Sequence, residues 1–184
     1  PVTAPPLLAN EVQVSCLPKD LRAIMRRASE ISIDLPLLGA VLASNRVQVD
    51  RLVERVLSKS PRVVGMVGLA FKSNTDDMRE SPFVTVAKRL IGEGITLRIY
   101  DQGVHPERLI GSNKLAVQRA LGHLESLLES SIHELSNCDL ILVNHKSVDA
   151  ARIHRWLDAG IQVFDLADIP NVDASHRGYE GIAW

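Results

Sequence analysis

Val63-Val64-Gly65-Met66-Val67-Gly68-Leu69 is apolar at every position and shows no alternation. A strand of that kind has both faces covered, as in a parallel sheet sandwiched between helices. Ile95–Tyr100, Asp139–Asn144 (DLILVN) and Ile161–Leu166 are further short segments of strand character. Helical segments separate them. Ser81-Pro82 is a good N-cap and first-turn pair for a helix over Phe83–Glu93 that ends at Gly94, and Val148–Ala159 is a helix ended by Gly160. Residues 103–136 read as a surface excursion followed by a helix around Ala116–Ser130. The β-α-β-α-β-α-β order predicts an α/β fold built on a doubly wound parallel sheet.

A helical segment precedes this sheet. Residues 1–14 open with a proline-rich stretch of no clear period and are expected to be an extended lead-in. Lys19–Ser32 carries Leu21, Ile24, Met25 and Ala28 at helical spacing, with Pro18 just inside the start. After Asp34-Leu35-Pro36, a longer helix over 37–57 repeats Leu37, Leu38, Val41, Leu42, Asn45, Val49, Leu52, Val53 and Val56 at steps of three and four. Its apolar stripe is wide enough to pack against more than one partner. The expected organisation is therefore a lead-in at 1–14, a helical segment at 15–60 and an α/β domain at 61–184.

Composition narrows the function classes. Hydrophobic residues make up 46% of the chain and charged residues 23%, which suits a globular protein with a sizeable core. The net charge of −1 implies no general attraction to nucleic acid or to a membrane surface. Two cysteines, Cys16 and Cys138, make no disulfide framework and fit a reducing compartment. No apolar run approaches the roughly 20 residues of a membrane span, and no signal-peptide pattern opens the chain. A cytoplasmic, soluble protein is the expectation.

Ligands of an open parallel sheet sit beyond the carboxyl ends of its strands, at a switch point in the topology. Lys72 follows the first strand at that end, where a bound phosphate would lie or where a solvated lysine would simply protrude. Arg79 shares its loop with Asp76, Asp77 and Glu80, so a local ion pair is its plainer reading. Cys16, near a helix start with Lys19 three residues on, has the setting of an activated thiol or of an inert half-buried one. Cys138 and Trp156 read as core, and the terminal Trp184 as a docked aromatic. The six histidines have no metal-ligand spacing, so surface or loop roles are expected of them and no metal site is assigned.

Two motifs carry a family resemblance. Ser15-Cys16-Leu17-Pro18-Lys19-Asp20 resembles the S-C-[FL]-x-K-D signature of the nucleotide-sugar 6-dehydrogenases, the UDP-glucose and GDP-mannose dehydrogenases. Gly68-Leu69-Ala70-Phe71-Lys72, continued by Thr75-Asp76-Asp77, Arg79 and Glu80-Ser81-Pro82, is similar to the same family's G-[LF]-[AS]-F-K-x-x-T-D-D-x-R-E-S-P. The ending Glu180-Gly181-Ile182-Ala183-Trp184, with Leu17-Pro18 after the cysteine, resembles the GDP-mannose branch more than the UDP branch.

The resemblance implies a Rossmann-like domain that binds a nucleotide-sugar, GDP-mannose in the favoured case. It also implies NAD-dependent oxidation of a sugar C6 alcohol to a carboxylate, in two hydride transfers. A cysteine captures the intermediate aldehyde as a thiohemiacetal, and water hydrolyses the resulting thioester. Carried over, Cys16 is the nucleophile, and Asp20 assists acid–base steps beside it. Lys19 and Arg79 reach the cofactor, Lys72 contacts the nucleotide-sugar, and the 37–57 helix forms a homodimer. The departures are equally specific. No βαβ unit with G-x-G-x-x-G is present, so the main NAD domain and the family's middle section are missing from these residues. Where the family has F-G-G-S, this sequence has Glu11-Val12-Gln13-Val14-Ser15, and valine does not take glycine's positive-φ conformations. The expectation is a GDP-sugar-binding part of such an enzyme that does not turn over alone. A non-catalytic dimerisation module, a natural truncation and a UDP-sugar dehydrogenase fragment stand as alternatives.

Overall fold

A computed structural model describes residues 16–73, 75–79, 81–105, 115, 121–122 and 124–181, with backbone alone for 16–19. The lead-in 1–14, Ser15, Glu80, Trp184 and, of the helix expected around Ala116–Ser130, residues 116–120 and 123 lie outside the described residues. Two helices open the fold, α1 (Cys16–Glu30) and α2 (Pro36–Leu57). The sheet domain continues with β1 (Val63–Val67), α3 (Pro82–Gly92), β2 (Thr96–Tyr100), β3 (Leu140–Val143), α4 (Ala150–Asp158), β4 (Gln162–Asp165) and β5 (Tyr179–Gly181). The five strands run parallel in the order β2-β1-β3-β4-β5.

Two-sided burial explains the unalternating strands. Successive side chains of β3 point to opposite faces. Leu140 and Leu142 enter one apolar cluster with α2 and α3, whereas Ile141 and Val143 enter a second with α4. β1 divides likewise, Val64 and Met66 against Val67. Gly65 faces the second cluster where space is short, since a Cβ there would lie 3.1 Å from Ile141 and 3.2 Å from Cys138. Capping fixes the helix starts: Ser81 Oγ accepts from Phe83 N, and the Asp149 side chain accepts from Arg152 N.

Three features differ from the sequence reading. The residues expected to end the 116–130 helix are not α-helical. Leu124–Ser126 is a short 3-10 turn, and Ile99 N donates to Leu127 O while Glu129 N donates to Ile99 O, both at 2.7 Å. The open edge of β2 offers these backbone groups partners that a helix would have denied them. A 3-10 segment over Ile132–Asn137, not foreseen, precedes β3. The fifth strand, β5, was also not foreseen; three residues are too few to show a period.

Side-chain anchors hold β5. Tyr179 OH donates to the fully buried Asp165 carboxylate at 2.8 Å, and burial together with that bond pushes the phenol pKa up. Glu180 accepts from Arg55 Nε (2.8 Å) and NH2 (3.1 Å) and from Lys59 Nζ (2.5 Å), which ties the edge strand to α2. The second half of α2 belongs to the domain core, with Val49, Leu52, Val53 and Val56 buried. The first half does not: Leu37 and Val47 are exposed, as are Ile24, Ile31 and Ile33 on and after α1.

Burial opposes the charge of Glu180, but donation from Arg55 and Lys59 outweighs it and holds the carboxyl below its ordinary range. A depressed folded-state pKa contributes stability above the unfolded value and loses it as pH falls through the folded one. The stability difference between wild type and Glu180→Gln is therefore expected to be constant near neutrality and to shrink as pH falls below about 4.3. Chemical denaturation across that range measures it, and a difference independent of pH would contradict the assignment.

Candidate functional site

The chain steps from β1 outward to β2, then crosses back to β3 on the other side of β1. Connections leave β1 and β3 in opposite directions, which opens a crevice at their carboxyl ends. Gly68 and Asn144 stand there, continuing the ladder through Gly68 N to Tyr100 O and Asn144 N to Val67 O, both 2.9 Å.

The turn leaving β1 is saturated with internal bonds. Asp101, the residue after β2, accepts through Oδ2 from Leu69 N (2.7 Å) and Ala70 N (2.9 Å), and through Oδ1 from Gly103 N (2.9 Å). Asn144 Nδ2 donates to Gly68 O at 2.7 Å. His145 Nε2 lies 3.0 Å from Ala70 O, an atom that can only accept, so Nε2 carries the hydrogen. Ser81 Oγ donates to Leu69 O at 2.8 Å, and Phe71 N donates to Asp77 O at 2.9 Å. Farther out, Thr75 Oγ1 donates to Lys72 O at 3.0 Å. The Thr75 backbone also lies so close to Gly103 that a Cβ on that glycine would stand 2.4 Å from Thr75 O. Lys72 is thus an exposed cation on a backbone held by these bonds, in the turn that leaves the carboxyl end of β1.

This wiring determines what the turn can hold. In a dinucleotide fold, the glycine-rich turn and the next helix's N-terminus face a pyrophosphate, and an acidic residue after β2 takes a ribose hydroxyl. Here Asp101 is spent on the loop's own amides, and Ser81 caps α3. The described residues therefore do not fit NAD at this turn. They leave a lysine-bearing loop beside an open crevice, which suits the phosphates of a mononucleotide.

The other expected site residues are distributed unevenly. Arg79 makes a two-pronged pair with Asp77, Nε to Oδ1 at 2.9 Å and NH2 to Oδ2 at 3.0 Å, and this holds the Asp77 carboxyl below its ordinary range. Cys16 and Lys19 occupy the first turn of α1, and their side chains lie outside the described residues; Asp20 follows on the same helix and is exposed. Cys138 is buried, which pushes its thiol up to about 11 and leaves it protonated at neutral pH.

His145 lies in the loop after β3, within the surface or loop roles expected of the histidines, but it is buried there, only 5% exposed. A Cβ at Gly68 would lie 2.4 Å from its ring, and Gly68 has φ 94°. Asn144 is equally buried, and its Oδ1 finds no hydrogen-bond partner among the described residues. Asp101, Asn144 and His145 escaped notice in the sequence. Their shared signal is position: each is among the first two residues past the carboxyl end of a strand beside the switch point.

Gly68→Ala should cost well over the ~1 kcal/mol of a left-handed alanine alone. Gly160→Ala supplies the control, with φ 83° and nothing within 4 Å of its added Cβ. Unfolding free energies measure both; equal costs would show that the His145 contact is relieved without strain.

Comparison with known proteins agrees with this architecture. Residues 65–171 match the model of the UDP-glucose/GDP-mannose dehydrogenase family, UDP binding domain. GDP-mannose 6-dehydrogenase of Pseudomonas putida is 38% identical over 172 residues, covering 92% of this chain and 39% of the relative. UDP-glucose 6-dehydrogenase YwqF of Bacillus subtilis is 40% identical over 91 residues, covering 47% of this chain and 21% of the relative. Among solved structures, a ternary complex of GDP-mannose dehydrogenase from Pseudomonas aeruginosa superimposes with a TM-score of 0.74 at 36% identity, covering 92% of this chain and 39% of that one. UDP-glucose dehydrogenase from Pyrobaculum islandicum gives 0.67 at 27% identity, with 93% and 38% covered. The chain spans 39% of the length of the GDP-mannose relatives it matches. Motifs, switch-point topology and these matches agree: the chain belongs to the UDP-glucose/GDP-mannose dehydrogenase family.

Proposed function

We propose that these residues form the nucleotide-sugar-binding part of a dehydrogenase that oxidises the C6 alcohol of GDP-mannose to the carboxylate. The observation that carries the reading is the pinned turn after β1, which presents Lys72 at the switch-point crevice with its backbone held by Asp101, Asn144, His145 and Ser81. In this reading the Lys72 ammonium meets the diphosphate, where a charge-assisted bond to a positioned anion outweighs one to water. GDP is favoured over UDP because the relatives matched along 92% of the chain are GDP-mannose 6-dehydrogenases, whereas the UDP-glucose 6-dehydrogenase of Bacillus subtilis matches along 47%.

Cys16 is the nucleophile toward the C6 aldehyde in the same proposal, with Asp20, just past the first turn of α1, assisting proton transfer. A helix N-terminus favours the thiolate there. NAD supplies the oxidising equivalents of the family's reaction, and Lys19 and Arg79 are assigned to its side of the site. Because Asp101 and Ser81 are committed internally, the dinucleotide is bound mainly by parts other than the turn at 68–72, with Arg79 meeting it from the far end of the same loop, and the 184 residues alone bind GDP-mannose without turning it over. A cytoplasmic setting, which keeps Cys16 reduced, belongs to this reading, and no helix among the described residues is long and apolar enough to cross a membrane. Homodimerisation through α2 is favoured by the apolar side chains exposed on its first half and beside it, Leu37 and Val47 with Ile24, Ile31 and Ile33.

Calorimetric titration of the chain with GDP, UDP and NAD tests the proposal. GDP is expected to bind, UDP more weakly, and Lys72→Ala to weaken GDP by about tenfold or more. No GDP binding, or a Lys72→Ala variant that binds GDP like wild type, would overturn the assignment of the site.

A further inference from the structure

We propose that His145 is a positioning residue for the Lys72 loop, acting through its Nε2–H bond to the Ala70 carbonyl; its consequence for affinity rests on the nucleotide reading above. Ala70 is gripped from two sides. Its N–H is taken by Asp101 Oδ2 at 2.9 Å and its carbonyl by His145 Nε2 at 3.0 Å. The two partners come from the strands on either side of β1, Asp101 after β2 and His145 after β3, so Ala70 is held from both neighbours of its own strand. His145 Nδ1 stands 3.9 Å from Asp101 Oδ2, which brings the two gripping side chains together behind the loop. Ala70 itself has no exposed surface, so its carbonyl has no water to turn to if the histidine is lost.

The grip acts where it matters for Lys72. A lysine side chain has many rotamers, so what the domain controls is the position of its backbone. Two peptide links separate Ala70 from Lys72, and the bonds of Phe71 N to Asp77 O and Thr75 Oγ1 to Lys72 O pass the constraint outward. Gly68 is part of the same device. Its missing Cβ makes the room in which the imidazole ring lies, 2.4 Å from where that carbon would be. Packing alone would be served by an apolar side chain of similar length, whereas gripping Ala70 needs a donor at the Nε2 position.

That difference supplies the test. His145→Met fills the space without donating, and His145→Gln restores an amide N–H at a comparable reach. Amide hydrogen exchange should show Leu69 and Ala70 losing protection by about tenfold in His145→Met. Val64, Met66 and the α3 amides should stay as in wild type, and His145→Gln should recover the loop. In calorimetry, His145→Met should weaken GDP by a similar factor and leave guanosine, which has no phosphate for Lys72, unchanged. Exchange that is unaltered in His145→Met, raised uniformly through the domain, or equally raised in His145→Gln would overturn the proposal. Should wild type bind no GDP, the nucleotide reading fails, and the exchange measurement still decides whether His145 holds the loop.

Discussion

A parallel sheet buried on both faces leaves its carboxyl-terminal rim as the natural place for chemistry. β1 and β3, the strands flanking the switch point, are covered by α2 and α3 on one side and α4 on the other. The polar groups that serve the crevice therefore enter mostly from strand ends, Gly68 and Ala70 after β1, Asp101 after β2, Asn144 and His145 after β3, with Ser81 joining from the cap of α3. Burying those groups is costly unless each is paired. The domain answers with short bonds between them, and the same bonds that satisfy the rim immobilise the loop that carries Lys72. Stability of the rim and presentation of the cation are one arrangement.

α2 has two different halves for a related reason. From Val49 to Val56 it is a core helix of the α/β domain, and Arg55 with Lys59 just beyond clasps the edge strand through Glu180. From Pro36 to Gln48 it offers apolar surface that the described residues do not cover. Mutations in the second half should therefore act on the folding of this domain, while those in the first half should act on whatever covers it. β5 depends on the same clasp. Three ladder residues make a weak strand, and Tyr179 to Asp165 together with Glu180 to Arg55 and Lys59 compensate with side-chain bonds.

The central strands were legible because burial on both sides leaves a run such as Leu140–Val143 with no polar residue. A helix start was legible at Ser81, where a cap and a proline stand together in the sequence, whereas the cap at Asp149 went unread and that helix was begun at Val148, two residues early. What the sequence hid depends on partners distant along the chain. Leu127–Glu129 is extended because Ile99, far upstream, offers backbone groups to it. β5 exists because Asp165 and α2 hold it. At the candidate site, the place of Lys72 just after β1 was legible. The importance of Asp101 and His145 could not, because an acid after a strand and a histidine in a loop look ordinary until the topology brings both to Ala70.

The central claim is that ligand binds at the switch point between β1 and β3. A hydrogen-exchange map of the chain with and without GDP-mannose tests it most directly. The account predicts added protection over 68–79 and 144–147, with little change where Lys59, His176 and Arg177 line a separate cavity at the opposite end of β4. Protection centred on that cavity, or none over 68–79, would contradict it.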